Sequence, residues 1–453
     1  MIYLEKIEAV VLVKHRAFVQ LKTALQEMMP ADIAQLLSEL MEEQDEFSEK
    51  ELTLVFRILP KELAAEAFTY MDSDLQMVLI NAFSDRELKA VLDELFLDDT
   101  VDIIEEMPAN VVSRILKNAD PAKRKQINEL LNYPEDSAGT IMTTEFVYFR
   151  SDDTVKAAFE RIRSVGLVKE TVYTCYVTEN RRLVGRVSLL DLVVADEEAL
   201  ISDIMDTTVV SVSAHDDKEE VANLFSKHDL AALPVVDADG RIVGIITFDD
   251  AMDVIREENA EDMARMSAVM PSEDSYLKTS VWKHARSRIV WLLILMLSAT
   301  ITGSITNHFE AQIAAVPLLV AFMPMLTGTG GNCGSQASTM IIQGMAMGEI
   351  RLKDFFKVVF KELRIALICS IILSAVNFAR IVIMYNDLKM AVVVSATLIG
   401  TVILSKLLGC MLPMFAKKIH LDPAIMSAPL LSTLVDSCST LLYFTIALHV
   451  LSI

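Results

Sequence analysis

The stretch APLLSTLVDSCSTLLYFTIALHVLSI (428–453) is long and apolar enough to cross a lipid bilayer, yet it carries a carboxylate, Asp436, near its middle. A helix starting a dozen residues earlier and rising about 1.5 Å per residue would carry Asp436 roughly 18 Å into a hydrocarbon core about 30 Å thick. Ser432, Ser439 and Tyr443 lie at helical spacing from it and form a polar stripe. An acid at that depth indicates a cation path; the alternative is a helix-packing acid satisfied by neighbouring hydroxyls.

Charge is divided unevenly along the 453 residues. From Ile289 onward there are ten Lys/Arg and seven Asp/Glu, so residues 1–288 hold 31 basic and 56 acidic residues and a net charge of −25. A surface of that sign disfavours nucleic acid as a partner and favours divalent cations. The five cysteines have no paired spacing, so neither a disulfide framework nor a zinc site is predicted.

Residues 1–131 predict an all-α array of short amphipathic helices. Ser48 and Ser84 each precede a glutamate by three residues, which is the spacing of a capping box. One helix of the array, FLDDTVDIIEEM (96–107), carries an aspartate cluster, for which a solvated helix N-terminus is an alternative to a metal site.

An internal α/β repeat follows, in residues 132–200 and 201–256. Each copy predicts strand, helix, strand, turn, strand, helix. The offset between the copies falls from 64 residues near Thr143 to 59 near Gly185, so the first copy has about five extra residues, around 164–171. The pattern resembles a tandem pair of cystathionine-β-synthase-type (CBS) domains.

The second copy continues into FDDAMDVIREENAEDMARM (248–266), where acids recur at four-residue spacing from Asp249. Like charges at that spacing repel each other on a helix. Hydrated Mg²⁺ is a suitable counter-ion, because it binds carboxylate oxygens and keeps several waters. The alternative is a solvated acidic linker.

The apolar last third predicts five membrane-spanning helices. They are 289–307, 311–347 with a break, 358–385, 390–416 and 424–450. Lysines and arginines concentrate before the first helix and in the second-to-third and fourth-to-fifth connections. The positive-inside rule therefore puts the acidic N-terminal region in the cytoplasm and the C-terminus outside.

Glycines interrupt the second of these helices within PMLTGTGGNCGSQASTM (324–340). A helix broken at membrane depth must face protein or a wet cavity, so we expect 328–332 to line a cavity opposite Asp436. The alternative, close packing of small residues, accounts poorly for Asn332. Lys406, well inside the fourth helix, would oppose cation conduction, so we expect it to snorkel toward the cytoplasm or to pair away from the path.

Taken together, these features resemble the MgtE-type magnesium transporters over nearly the whole chain. The resemblance rests on the order of the parts and on two motifs, GTGGNCGSQ (328–336) and LDPA…PLLSTLVD (421–436). It implies a multidomain homodimer in the plasma membrane that transports Mg²⁺ and is no enzyme. The implied domains are an all-α helical-array N-terminal domain (1–131), an α/β CBS pair (132–200 and 201–256), an acidic connecting helix (257–283) and an all-α five-helix transmembrane pore domain (284–453).

The resemblance also implies functional residues. Those of the ion path are Asp436, Asn332, Ala428, Ser432 and Asp422. Those of the regulatory Mg²⁺ sites are Glu66, Asp98, Asp102, Glu219, Asp229, Asp250, Asp253, Glu258, Glu261 and Asp262. Plentiful cytoplasmic Mg²⁺ would bridge these acids and close the pore, whereas scarce Mg²⁺ would let repulsion separate the domains and open it.

A nucleotide site is a further expectation of the CBS resemblance. The family's Gly-x-x-[Ser/Thr]-x-x-Asp pattern, which serves an adenosine ribose, matches Ser188 with Asp191, and Thr247 with an acid three residues later. ATP or another adenine nucleotide could bind there; an empty pair serving as a dimer interface is the alternative. Two other functions also remain open: a less selective path for Mn²⁺ or Co²⁺, and a membrane-anchored metal or nucleotide sensor without a pore.

Overall fold

The computed structural model describes Leu4 and residues 6–42, 47–271, 276, 279–426 and 428–451. These residues form two compact units, Met1–Ile255 and Arg256–Ile453.

The first unit begins with an array of short helices, as the sequence predicts. In the described part they are α1 Lys6–Lys14, α2 Phe18–Gln26, α3 Pro30–Glu42, α4 Glu49–Ile58, α5 Lys61–Thr69, α6 Ser73–Ala82, α7 Asp85–Leu92, α8 Leu97–Glu106, α9 Ala109–Asn118 and α10 Pro121–Leu130. Ser48 and Ser84 form the predicted capping boxes at the starts of α4 and α7, where each hydroxyl accepts from the backbone N–H three residues on.

Two three-stranded sheets follow, and they confirm the internal repeat. The first copy consists of β1 Phe146–Arg150, α11 Val155–Val165, β2 Thr171–Glu179, β3 Arg182–Ser188 and α12 Leu189–Val194. The second consists of α13 Ile201–Ile204, β4 Val212–Ser213, α14 Lys218–His228, β5 Ala232–Val236, β6 Ile242–Thr247 and α15 Phe248–Met266. In both sheets the first two strands pair in parallel and the last two in antiparallel fashion.

The helical array and the second CBS copy share one hydrophobic core. Buried side chains from α3 to α10 belong to the same cluster as Phe225, Val235 and Ile246 of the second copy. The first copy has a separate core around Phe149 and Val177. The second copy is therefore fixed against the helical array, and acids on the two parts are held close together.

The second unit is a bundle of long helices. They are α16 Val281–His308, α17 Glu310–Ala315, α18 Leu318–Ala346, α19 Phe355–Tyr385, α20 Leu388–Lys418 and α21 Ala428–Leu451. By length and hydropathy, four segments of the described chain are candidate membrane spans: Val281–His308, Leu352–Tyr385, Leu388–Lys418 and Pro423–Leu451. The predicted second span contains the 29-residue α18, which is not among these four.

The expectation that glycines break the second span was wrong. Helix α18 is continuous through its glycines, and the interruption lies before it, between α17 and α18. The glycines instead admit neighbouring helices. A Cβ on Gly330 would lie 2.8 Å from side-chain atoms of Thr401 and Val435, and one on Gly334 would lie 3.1 Å from Leu431. Small-residue packing, the alternative in the sequence reasoning, explains these positions.

The tightest of these approaches gives a stability prediction. A Cβ on Gly409 of α20 would clash with the carbonyl oxygen of Gly334 on α18, a backbone atom that cannot move without shifting the helix. We expect Gly409→Val to separate the two helices and destabilise the bundle by ~1–3 kcal/mol or more. Thermal unfolding of the purified protein in detergent measures this. Gly328→Val is the matched control, because a Cβ there meets nothing within 4 Å; equal unfolding temperatures for the two variants would contradict the prediction.

Candidate ion path and cation-sensing acids

Asp436 lines a cavity of about 580 Å³ on one side of α21. The opposite wall comes from α16 and α17 and includes Asn307 and Glu310. A hydrogen bond of 2.7 Å between the hydroxyls of Thr302 and Ser437 holds α16 against α21 beside this cavity. The cavity is therefore built by the first and last long helices, not by the glycine-rich helix that the sequence indicated.

The chemistry of this cavity suits a hydrated cation. Two carboxylates, Asp436 and Glu310, share its lining with the hydroxyls of Thr302, Thr306 and Thr433. An ion with six waters at roughly 30 Å³ each occupies about 200 Å³, so the volume accommodates it. The sequence analysis did not identify Glu310 as a candidate. Its position as a single carboxylate just after an apolar helix could have indicated it.

The predicted polar stripe on α21 is divided by the packing of the bundle. Ser439 and Tyr443 are buried inside it, and the Tyr443 hydroxyl donates to the Leu319 carbonyl at 3.0 Å. Only Asp436 of these three lines the cavity. Ser432 packs against α18, since its hydroxyl lies 3.1 Å from the point that a Cβ on Gly331 would occupy.

Two amides of α18 lie on the outer surface of this unit. Asn332 and the residue one turn later, Gln336, are both solvent-exposed, while the neighbouring glycines are buried. Ala428 is the first residue of α21, and its side chain is outside the described part.

Asp422 is held by two interactions at the opposite end of the bundle. Its Oδ1 accepts from the Ala424 backbone N–H at 2.7 Å, and its Oδ2 pairs with Arg265 of α15. The Arg265 guanidinium also pairs with Glu261 one turn earlier. Burial, and then the Asp422 charge, raises the pKa of Asp262. The acidic helix is thus linked to Asp422 through Arg265. Glu258 lies on the same helix.

A group of acids forms within the first unit where α8 meets the start of α15. We call Asp98, Asp99, Asp102, Glu170 and Asp250 the acidic face. Burial, and then the Asp99 charge, raises the pKa of Asp98 to about 7. Burial, and then the Asp98 charge, raises the pKa of Asp250 to about 7. Asp102 keeps a solvent-exposed edge, and its pKa is raised by desolvation and then by the charges of Asp250 and Asp98.

Glu170 is the member of the acidic face that sequence reasoning missed. It lies among the extra residues of the first CBS copy, and its backbone N–H donates to the Glu145 carbonyl at 2.9 Å. The Glu145 carboxylate accepts from the Leu97 N–H at 3.1 Å, which ties this insertion to the start of α8. Glu170 Oε2 is buried without a hydrogen-bond partner. Burial, and then the charges of Asp98 and Asp99, raises its pKa to about 9. The sequence offered one signal for Glu170: it lies within the extra residues by which the first copy is longer than the second.

The remaining predicted sensor acids of the first unit lie outside the acidic face as we define it. Glu66, Asp229 and Asp253 are exposed, and Glu219 is half-buried in the first turn of α14. No three His, Cys, Asp or Glu side chains of the described residues converge closely enough to chelate a metal ion.

The residues matched to a ribose site act as helix caps. The Ser188 hydroxyl donates to Asp191 at 2.6 Å and accepts from its N–H, which caps α12. At the start of α15, the hydroxyl and the backbone N–H of Thr247 both donate to the Asp250 carboxylate. Because both pairs are already bonded to each other at helix starts, the adenine nucleotide stays a prediction.

The acidic face predicts opposite responses to pH with and without Mg²⁺. Asp98 and Asp250 have pKa values near 7 in the folded unit, against an ordinary value of 3.8. Between these values the folded unit binds more protons than the unfolded chain, so without Mg²⁺ its stability should fall as pH rises from about 5 to about 8. Millimolar Mg²⁺ should restore stability at pH 8 and add little at pH 5. Calorimetry of the full-length protein measures this; a Mg²⁺-free unfolding temperature equal at both pH values would contradict it.

Three family models match four segments of the chain. A divalent cation transporter model, MgtE, matches residues 323–446, and an MgtE intracellular N domain model matches 28–136. A CBS domain model matches twice, over 138–198 and 201–257.

Relatives cover almost the whole chain. It is 34% identical over 432 residues to the magnesium transporter MgtE of Thermus thermophilus, with 94% of each chain covered. It is 31% identical over 420 residues to the magnesium transporter MgtE of Bacillus subtilis, with 89% of this chain and 92% of that one covered. A crystal structure of the soluble part of a magnesium transporter has a TM-score of 0.51 at 28% identity, covering 56% of this chain and all of that one. The chain belongs to the MgtE family of divalent cation transporters.

Proposed function

We propose that this protein conducts Mg²⁺ through the plasma membrane and that Mg²⁺ bound to its acidic cytoplasmic region closes it. The observation that carries the proposal is the cavity in which Asp436 and Glu310 lie among hydroxyl and amide side chains. The relatives that match most of the chain are named magnesium transporters, which favours Mg²⁺ over a less selective Mn²⁺ or Co²⁺ path and over a sensor without a pore.

In the proposed ion path Asp436 binds Mg²⁺ through its water shell. Mg²⁺ dehydrates reluctantly, so a carboxylate among hydroxyls binds it at lower cost than a cage of direct ligands would. Asn332, Ser432 and Ala428 are proposed to line the path near this acid, and Asp422 to lie at its cytoplasmic mouth.

We place α18 as a fifth membrane crossing. Its glycines and polar residues are compatible with a bilayer because much of the helix is buried against α20 and α21. The N-terminal domains are then cytoplasmic and the C-terminus lies outside, as the positive-inside rule predicts.

The proposed assembly is a homodimer with the path at its two-fold axis. Support comes from Asn332 and Gln336, which are exposed on one protomer although amides facing lipid are costly. A second copy would cover them and add a second Asp436. Cysteines introduced at Gln336 are expected to cross-link in native membranes, whereas cysteines at Ile371, an exposed apolar residue of α19, are not.

The proposed gate is electrostatic. Mg²⁺ on the acidic face and near Glu219, Asp229, Asp253 and Glu66 would hold the cytoplasmic domains closed. The acidic helix, with Glu258, Glu261 and Asp262, would then block the mouth, and the link from Arg265 to Asp422 supports this docking. Loss of Mg²⁺ would leave the acids repelling one another.

Mg²⁺ flux in proteoliposomes containing the purified protein tests the proposal. Flux should fall as Mg²⁺ on the cytoplasmic side rises into the millimolar range, and excess Mn²⁺ or Co²⁺ should compete weakly. Flux that does not depend on cytoplasmic Mg²⁺ would refute the proposed gate but not the proposed ion path. No flux at any Mg²⁺ concentration would refute both.

A further inference from the structure

A pair of opposite charges is buried within the membrane bundle. Lys406 of α20 and Glu362 of α19 are 6% and 9% exposed, and their Nζ and Oε2 atoms lie 3.8 Å apart. They are the two buried charged side chains among the described residues of the second unit. Charges at such positions are costly and, where they occur, usually functional.

The contact is an ion pair without a close hydrogen bond. Glu362 Oε2 is enclosed by protein and has no hydrogen-bond partner. In a low-dielectric interior each charge therefore depends on the other for compensation. As a unit the pair is neutral; with either partner removed, a full uncompensated charge would remain inside the bundle.

The pair lies one helix layer behind the proposed ion path. Lys406 follows Ser405, whose hydroxyl is 3.3 Å from the position of a Cβ on Gly330 of α18. The same glycine abuts Val435, the neighbour of Asp436. Packed helices are about 8–10 Å apart, and Coulomb interactions over such distances are weakly attenuated where water is excluded. A net charge at this pair would therefore act on a cation at Asp436.

We propose that Glu362 neutralises Lys406 and thereby sets the electrostatic potential that a cation experiences in the path. Both are positioning residues in this scheme, since neither touches the ion. The inference rests on the proposed place of Asp436 in the path, and it explains how a lysine is tolerated within a cation-conducting bundle.

The proposal predicts effects of opposite sign. Glu362→Gln leaves a positive charge and should lower Mg²⁺ flux by roughly tenfold or more, the effect of a unit charge about 10 Å away at an effective dielectric constant near 20. Lys406→Met leaves a negative charge and should raise flux about two- to fivefold at subsaturating Mg²⁺. The double variant should return to within about twofold of the unchanged protein, because the net charge is again zero.

Flux is measured in proteoliposomes at equal protein content, with the unfolding temperature recorded for each variant. If the pair only fastens α19 to α20, both single variants would lose flux in step with their loss of stability, and that result overturns the proposal.

Should Glu362→Gln fail to fold, Lys406→Met still tests the proposal, because it should raise flux and not lower it. The exchanged pair, Lys406→Glu with Glu362→Lys, should keep flux near normal. Lys389→Met, at an exposed position on the same helix, is the control. If Asp436→Asn retains flux, the proposed path has failed; if only the sign pattern is absent, this inference alone has failed.

Discussion

Asp436→Asn is expected to lower Mg²⁺ flux by roughly two orders of magnitude at an unchanged amount of folded protein. The substitution keeps the size of the side chain and removes its charge. Interactions of a charged group with the waters and hydroxyls around it are each worth ~1.5–3 kcal/mol, and every 1.4 kcal/mol corresponds to about tenfold in binding. Mg²⁺ uptake into proteoliposomes, followed with a Mg²⁺-sensitive dye, measures the loss.

Two further variants locate the effect. Asp354→Asn removes a carboxylate that pairs with Lys357 in the exposed connection before α19 and should leave flux intact. Glu310→Gln, in the same cavity as Asp436, should give an intermediate loss. If Asp436→Asn conducts like Asp354→Asn, then Asp436 is a packing acid, as the sequence alternative held.

Neutralising the acidic face should remove the response to cytoplasmic Mg²⁺. In the unchanged protein, millimolar Mg²⁺ is expected to reduce the open population by roughly tenfold or more, a coupling within the usual range for such switches. Asp98→Asn combined with Asp250→Asn removes two of the mutually repelling charges that a cation would bridge, so flux should differ by no more than about twofold between Mg²⁺-free and millimolar cytoplasmic Mg²⁺. Patch recordings from membranes with controlled cytoplasmic Mg²⁺ measure the response.

The control for this variant is Asp74→Asn, which removes an exposed acid from the first turn of another helix of the same array. It should respond to Mg²⁺ normally. Glu170→Gln should weaken the response partially, because this acid is electrostatically coupled to Asp98 and Asp99. A double variant that still closes at the usual Mg²⁺ concentration would exclude the acidic face as the sensor.

Much of the architecture was accessible from sequence because it is encoded locally. The capping boxes at Ser48 and Ser84, the repeated strand order and the long apolar helices all depend on residues a few positions apart. Asp98 and Asp250, both named from the sequence as sensor acids, do lie among other acids in the structure, and their binding of Mg²⁺ stays a prediction. The family match rests on the same motifs.

The glycine-rich helix shows why other features were not accessible. Gly330 and Gly334 are as compatible with a broken helix as with a closely packed one, and the difference depends on whether α20 and α21 approach them. The helix opposite Asp436 in the cavity was likewise predicted wrongly, because the sequence does not show that α16 packs beside α21.

By itself, the sequence determined the order of the domains, the helical character of the membrane region and the acid within its last helix. Only the tertiary structure decided the partners: Arg265 with Asp422, which are 157 residues apart, and Lys406 with Glu362. The physical reason is that periodicity specifies which face of its own helix a residue occupies. The group that meets that face depends on the angles and distances at which separate helices pack.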